Sequence, residues 1–124
     1  MSAEQPIYVR VFDHICIQVM SGNFNEGERA PSVRELAVNW EINPNTVMRA
    51  YALLAESGVI VNRRGVGFFI ARDAAQKALA KQRHEFIAAD LPRFTQKMRA
   101  LGFSFADLEK RHLAKSKPHK TTKK

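Results

Sequence analysis

The run Asn43-Pro44-Asn45-Thr46-Val47-Met48-Arg49-Ala50-Tyr51 constrains this 124-residue chain more than any other stretch. Asn43 suits a helix N-cap, where its side-chain oxygen can accept a free backbone N–H of the first turn. Pro44 suits the first helical position, because its fixed φ helps there and its missing N–H has no partner to lose. The run therefore opens a helix over residues 44–57. At about 100° per residue, Val47, Ala50, Tyr51 and Leu54 share one face, with Asn45, Arg49, Ala52 and Glu56 opposite and Thr46 and Met48 on the flanks. One side packs. The other offers Asn, Thr and Arg to solvent near the helix start.

The flanks give this helix a context. Residues 7–21 read as a first helix, with Val11, Ile15 and Val19 four apart and Phe12 and Cys16 beside them. Gly22 and Asn23 stop it, and Asn25-Glu26-Gly27-Glu28 is a turn. Ser32 and Glu35 fit a capping box at the start of a short second helix, in which Val33, Leu36 and Ala37 face inward and Trp40 closes. Glu41-Ile42-Asn43 is the turn into the third helix. Beyond Gly58, the β-prone runs Val59-Ile60-Val61 and Gly67-Phe68-Phe69-Ile70 flank a turn at Asn62-Arg63-Arg64-Gly65, which predicts a hairpin. Helix, short helix, tight turn, helix, hairpin is the order of a winged helix-turn-helix, in which the later helix enters the DNA major groove. The expected fold class is mainly α with a small β-hairpin, followed by a short α-helical module.

After Arg72 the composition shifts to helix formers. Ala75, Leu79, Gln82, Phe86 and Ala89 align in one stripe; Leu91, Phe94, Met98 and Leu101 form another, ended by Gly102. A break or kink is expected where Leu91 precedes Pro92. Ser104 with Asp107 caps a last helix carrying Leu108 and Leu113. About 40 residues cannot bury several such stripes internally, and two-fold pairing is the commonest remedy. Leu79, Phe86, Leu91, Phe94, Met98 and Leu101 are thus the candidate dimer contacts. The expected division is a DNA-binding domain over 1–72, a helical dimerisation module over 73–113 and a disordered basic tail over 114–124.

Charge does not carry the DNA-binding reading. The net charge is +8, but residues 110–124 hold seven basic residues and no acid, whereas residues 1–72 hold seven of each. The tail is either a solubiliser or a source of non-specific, salt-sensitive DNA affinity. Enzyme chemistry is not expected. His14, His84, His112 and His119 are scattered, without metal-ligand spacing, and no phosphate loop or nucleophile motif is present. No cofactor or metal is expected, and no small-molecule effector is identifiable. Without an export signal or an apolar run long enough for a bilayer, a cytoplasmic location is expected, with Cys16 as buried filler.

Residues 6–70 resemble the DNA-binding domain of the GntR family of bacterial transcription regulators. The resemblance lies in Pro6-Ile7-Tyr8, Pro31-Ser32-Val33-Arg34-Glu35-Leu36-Ala37, Asn43-Pro44-Asn45-Thr46-Val47, Arg49-Ala50-Tyr51 and Gly65-Val66-Gly67-Phe68-Phe69, and the Asn-Pro-Asn-Thr-Val form looks like the YtrA subfamily. The resemblance implies a dimerising two-helix C-terminal module and a repressor, often of transporter genes. It also implies DNA contact by Arg34, Thr46, Arg64 and Gly65. Many members of the wider family have Arg where this chain has Pro44 and Met48, and Asn45 and Arg49 are positioned to compensate, as Asn suits adenine and Arg suits guanine. With Ser32 beside Arg34 and Arg63 at the wing turn, the candidate DNA contacts are Ser32, Arg34, Asn45, Thr46, Arg49, Arg63, Arg64 and Gly65. The partner implied is an inverted-repeat operator in double-stranded DNA bound by a homodimer. The rival reading is a winged-helix protein-interaction or architectural module with non-specific, tail-driven DNA binding.

Overall fold

Helix α1 spans Ile7–Met20, and its five buried residues are Val11, Phe12, Ile15, Cys16 and Val19, the stripe expected from spacing. The computed structural model describes residues 5–120, with side chains as far as residue 115. Helix α2 is Val33–Trp40 and α3 is Pro44–Glu56. Between them Glu41 takes a left-handed conformation (φ 55°), which folds the chain back in three residues. Val47, Ala50, Tyr51 and Leu54 of α3 are buried, so its opposite face is left to solvent.

Gly58 ends α3 in the left-handed region (φ 82°), and the next amide, Val59 N–H, donates to the Leu54 carbonyl at 2.9 Å. A Cβ is disfavoured at such a position. The hairpin follows as β1 Ile60–Arg63 and β2 Gly67–Ile70, antiparallel, with Ile60 opposite Ile70 and Arg63 opposite Gly67. Asn62 and Arg63, expected in the turn, are instead the end of β1; the turn proper is Arg64-Gly65-Val66.

A third stretch joins this sheet. Ala30 N–H donates to the Phe68 carbonyl and Ile70 N–H to the Glu28 carbonyl, both at 2.8 Å, and Arg29 bridges Phe69. Residues 27–30, which read as a turn and its exit, thus cover the outer edge of β2 and supply partners to backbone groups that a two-stranded hairpin leaves open.

Helix α4 spans Ala74–Glu85. Its buried residues are Ala74 and Ala78, which join the core around α1 and α3, while Ala75 and Leu79 of the expected stripe are exposed. Small side chains permit the closer approach, so the alanines rather than the larger Leu79 face the core. Gln82 donates to the Asp13 carboxylate at 3.0 Å.

The chain divides into two compact units, Met1–His84 and Glu85–Lys124. The second holds a π-helical turn Phe86–Asp90, α5 Leu91–Ala100 and α6 Phe105–Lys120. The break expected at Leu91-Pro92 is thus a widened turn. Pro92 has no N–H and its ring crowds the carbonyl four residues back; a π-turn immediately before it relieves that crowding. Gly102 and Phe103 close α5 through bonds to the Arg99 and Met98 carbonyls, each at 3.0 Å. Ser104 and Asp107 form the expected cap of α6, with reciprocal bonds of 2.9 and 3.1 Å. These bonds hold the Asp107 carboxyl below its ordinary pKa range. Helix α6 runs on through residues 114–120, where composition alone predicts disorder; the Lys and Ala at its entry are good helix formers and extend a helix already nucleated at Ser104. Residues 121–124 of the expected tail lie outside the described residues. Among the described residues no helix is long and apolar enough to cross a membrane.

Candidate nucleic-acid interface

Three polar elements of the first unit meet on one buried side chain. Tyr51 of α3 is fully buried, and its hydroxyl donates to the Pro31 carbonyl at 2.6 Å, at the entrance to α2. Its ring meets Phe68 of β2 edge to face, with centroids 5.0 Å apart. Burial, with Glu35 adding to it, holds the phenol well above its ordinary range, so it stays a neutral donor. Helix α3, the entrance to α2 and the hairpin are therefore tied to one another through Tyr51.

At the start of α2, the Ser32 hydroxyl oxygen accepts from Glu35 N–H (3.0 Å) and the Glu35 carboxylate accepts from Ser32 N–H (2.8 Å). The Ser32 O–H proton remains able to donate to an external acceptor. Arg34, one residue into the helix, is exposed. At the start of α3, the Asn43 side chain accepts from Asn45 N–H at 2.7 Å, the cap read from sequence. Asn45 is exposed beyond it and Thr46 is half-buried.

Arg49 is exposed but not unsupported, since its guanidinium carbon lies 3.9 Å from the centre of the Tyr8 ring. Arg63 likewise sits over Phe69, at 4.4 Å. Arg64 and Gly65 are exposed at the wing tip. Such stacking stabilises a guanidinium by about 0.5–1 kcal/mol at an exposed site and restricts where it points.

Sequence reasoning missed Arg29. It donates through Nη2 to the Val66 carbonyl at the wing tip and lies 5.9 Å from the Phe69 ring. Its partners are 37 and 40 residues away in sequence, so no local pattern marks it. With it, five of the seven arginines in residues 1–72 (Arg29, Arg34, Arg49, Arg63 and Arg64) lie on the start of α2, on α3, or on the wing and its edge. A domain neutral in sum thus carries most of its cations on these elements.

The candidate dimer contacts are distributed differently. Phe86, Phe94 and Leu101 are 54%, 51% and 63% exposed, Leu79 is exposed, Leu91 half-buried and Met98 buried. Phe94 stacks on Phe105 with centroids 6.4 Å apart. Cys16 is buried, and that burial raises its thiol to about 11, outside the reactive range. Among the described residues no cluster of His, Cys, Asp and Glu could hold a metal ion.

Residues 7–70 match the gntR family of bacterial regulatory proteins. The chain is 31% identical over 102 residues to the uncharacterized HTH-type transcriptional regulator YhcF of Bacillus subtilis, covering 82% of this chain and 83% of that protein. It is 39% identical over 69 residues to the HTH-type transcriptional repressor YtrA of the same organism, covering 56% of this chain and 53% of YtrA, as the Asn-Pro-Asn-Thr-Val run suggested. A GntR family transcriptional regulator from Listeria monocytogenes shares the fold with a TM-score of 0.65 and 28% identity, over 85% of this chain and 90% of the other. With the family match spanning more than half its length, this chain belongs to the GntR family and is a DNA-binding transcriptional regulator, not an enzyme.

Proposed function

We propose that the protein is a cytoplasmic repressor that binds an inverted-repeat operator as a homodimer and governs a transporter operon. The observation that carries the reading is the joining of α2, α3 and the wing through Tyr51 in one unit, with their arginines outward. In this reading α3 lies in the major groove, Asn45, Thr46 and Arg49 meet base edges or flanking phosphates, and Ser32 and Arg34 clamp the backbone. Arg63, Arg64 and Gly65 reach the adjacent minor groove, where narrow A-tracts attract arginine. Phosphate contacts supply most of the affinity and a few base edges the specificity.

Residues 73–113 serve as the dimerisation module. The support is the apolar surface left open in a single copy, because Phe86, Phe94 and Leu101 together expose more than an isolated helical module keeps in water without cost. The repressor sense follows the relatives: YtrA and the histidine utilization repressor of Klebsiella aerogenes bear that name.

The test is footprinting on the region upstream of the chain's own gene. The expected result is two protected half-sites one helical turn apart or a multiple of it. Arg34→Ala and Arg49→Ala should each weaken binding by about 1–3 kcal/mol, Arg49→Ala with relaxed preference at one base pair. Unchanged affinity in both variants, with uniform protection along the duplex, would reject the reading.

A further inference from the structure

Arg29 stands apart from the helices and the wing turn, yet it is tied to the wing through both its backbone and its side chain. Its segment pairs along the edge of β2, its guanidinium donates to the Val66 carbonyl at the tip, and its charge lies beside Phe69. Arg63 approaches the same ring from β1. Phe69 lies on the middle strand, with one arginine from each neighbouring strand. The backbone is shaped to admit this arrangement. Gly67, two residues from Phe69, has φ 139°, and a Cβ there would come within 2.9 Å of Arg29 Nη2. Among the described residues, Arg64 at the tip has no ring or acid partner. Its direction is therefore set by the turn that carries it.

We propose that Arg29 is a positioning residue for DNA binding: by tying the wing tip through the Val66 carbonyl and flanking Phe69 opposite Arg63, it fixes the pose in which Arg64 and Gly65 meet the minor groove. The backbone of residues 27–30 holds β2 from Phe68 to Ile70 but does not reach the three-residue tip, which is otherwise free to sway, and its ordering on DNA would cost affinity. The planar, forked guanidinium is required. An ammonium carries the same charge but lacks the fork that lets the guanidinium donate to the Val66 carbonyl while its plane of charge lies beside the Phe69 ring. The proposal rests on the operator-binding reading and adds a residue and a mechanism to it.

The test uses the full chain and a duplex selected by the wild-type protein from random sequence, retaining the flanks it protects. Arg29→Ala and Arg29→Lys should both fold, since the side chain is exposed. Both should bind about tenfold more weakly, lose protection of the flanking minor groove and keep protection of the half-site centres. In the free protein, amide order parameters over residues 64–66 should fall in both variants, which charge removal alone does not predict. Wild-type affinity and flank protection in Arg29→Lys would make Arg29 a plain charge and overturn the proposal, as would unchanged binding by Arg29→Ala. Arg34→Ala on the same duplex separates the two levels. If it weakens binding while Arg29→Ala does not, the interface stands and this inference alone fails; if Arg34→Ala has no effect, the interface fails and the inference with it.

Discussion

Tyr51→Phe removes one hydroxyl from the junction of three elements and leaves the ring. The deleted bond is short, 2.6 Å, and neutral, and it joins a fully buried side chain to the Pro31 carbonyl. A typical neutral hydrogen bond contributes about 0.5–1.5 kcal/mol net, and a buried acceptor left unpaired costs about 1–3 kcal/mol. Pro31 is half-buried, so water reaches its carbonyl in part, and the expected loss is about 1–2 kcal/mol. For a unit of this size each 1 kcal/mol corresponds to about 4–8 °C in Tm. Urea unfolding should show a lower midpoint at unchanged m-value, because the phenyl ring still packs edge to face on Phe68. Operator affinity should fall as well, although Tyr51 reaches no DNA, because the start of α2 loses its tie to α3 while every exposed contact residue is intact. A loss no larger than the about 0.5 kcal/mol of an ordinary surface change, with wild-type affinity, would refute the claim that this bond sets the interface. A loss above about 3 kcal/mol would show that ring packing had changed and that the bond had been credited with too much.

Ser32→Ala deletes the acceptor of the capping box and should cost about 0.5–2 kcal/mol by urea unfolding; Ser32→Asp, which can still cap, should recover stability but not DNA affinity, since it places an anion against phosphate. His14, edge-on to Trp40 at 5.3 Å, is held below its ordinary pKa by burial. The unfolded chain therefore takes up the proton first as pH falls, so the stability tied to neutral His14 is complete above about pH 6.5 and is lost progressively below it. Urea midpoints measured from about pH 7 to pH 5 should decline, and His14→Phe should flatten that decline. Phe94→Asp and Leu101→Asp should shift sedimentation from dimer toward monomer and weaken operator binding without disturbing the first unit; an unchanged dimer would place the interface elsewhere.

What was legible in the sequence was what acts within a turn or two of its own position. Ser32 with Glu35, Asn43 with Asn45, Gly58 and Ser104 with Asp107 each bond to backbone within three residues, so spacing alone reveals them. The core face of α3 was equally readable, because helical periodicity fixes which side chains align. What was missed joins distant segments. The strand-like pairing of residues 27–30 has no alternation of apolar and polar residues and exists because β2 lies beside it. The support beneath Arg49 comes from Tyr8, a distant segment that no window contains, whereas Phe69 beneath Arg63 lies within the hairpin read from sequence. Pro92 announced a disturbance but not its form, since a kink, a break or a π-turn all answer the same lost hydrogen bond.

The charge distribution implies a division of electrostatic labour that salt can expose. Residues 1–72 are neutral overall and 110–124 carry seven positive charges. The head must gain specificity from a few arginines held in fixed poses, whereas basic residues beyond Lys110 can meet phosphates of any sequence. Each phosphate contact releases counterions and costs about threefold in affinity over a fourfold rise in salt. If residues 114–124 touch DNA, they steepen the salt dependence of operator and random duplex alike and leave the ratio between them nearly constant. Deleting them should then lower both affinities by a similar factor, reduce both salt slopes and preserve the footprint. A deletion that erased the ratio as well would mean that the arginines of α2, α3 and the wing do not discriminate sequence, and the neutral sum of the head would then be the truer guide to what it binds.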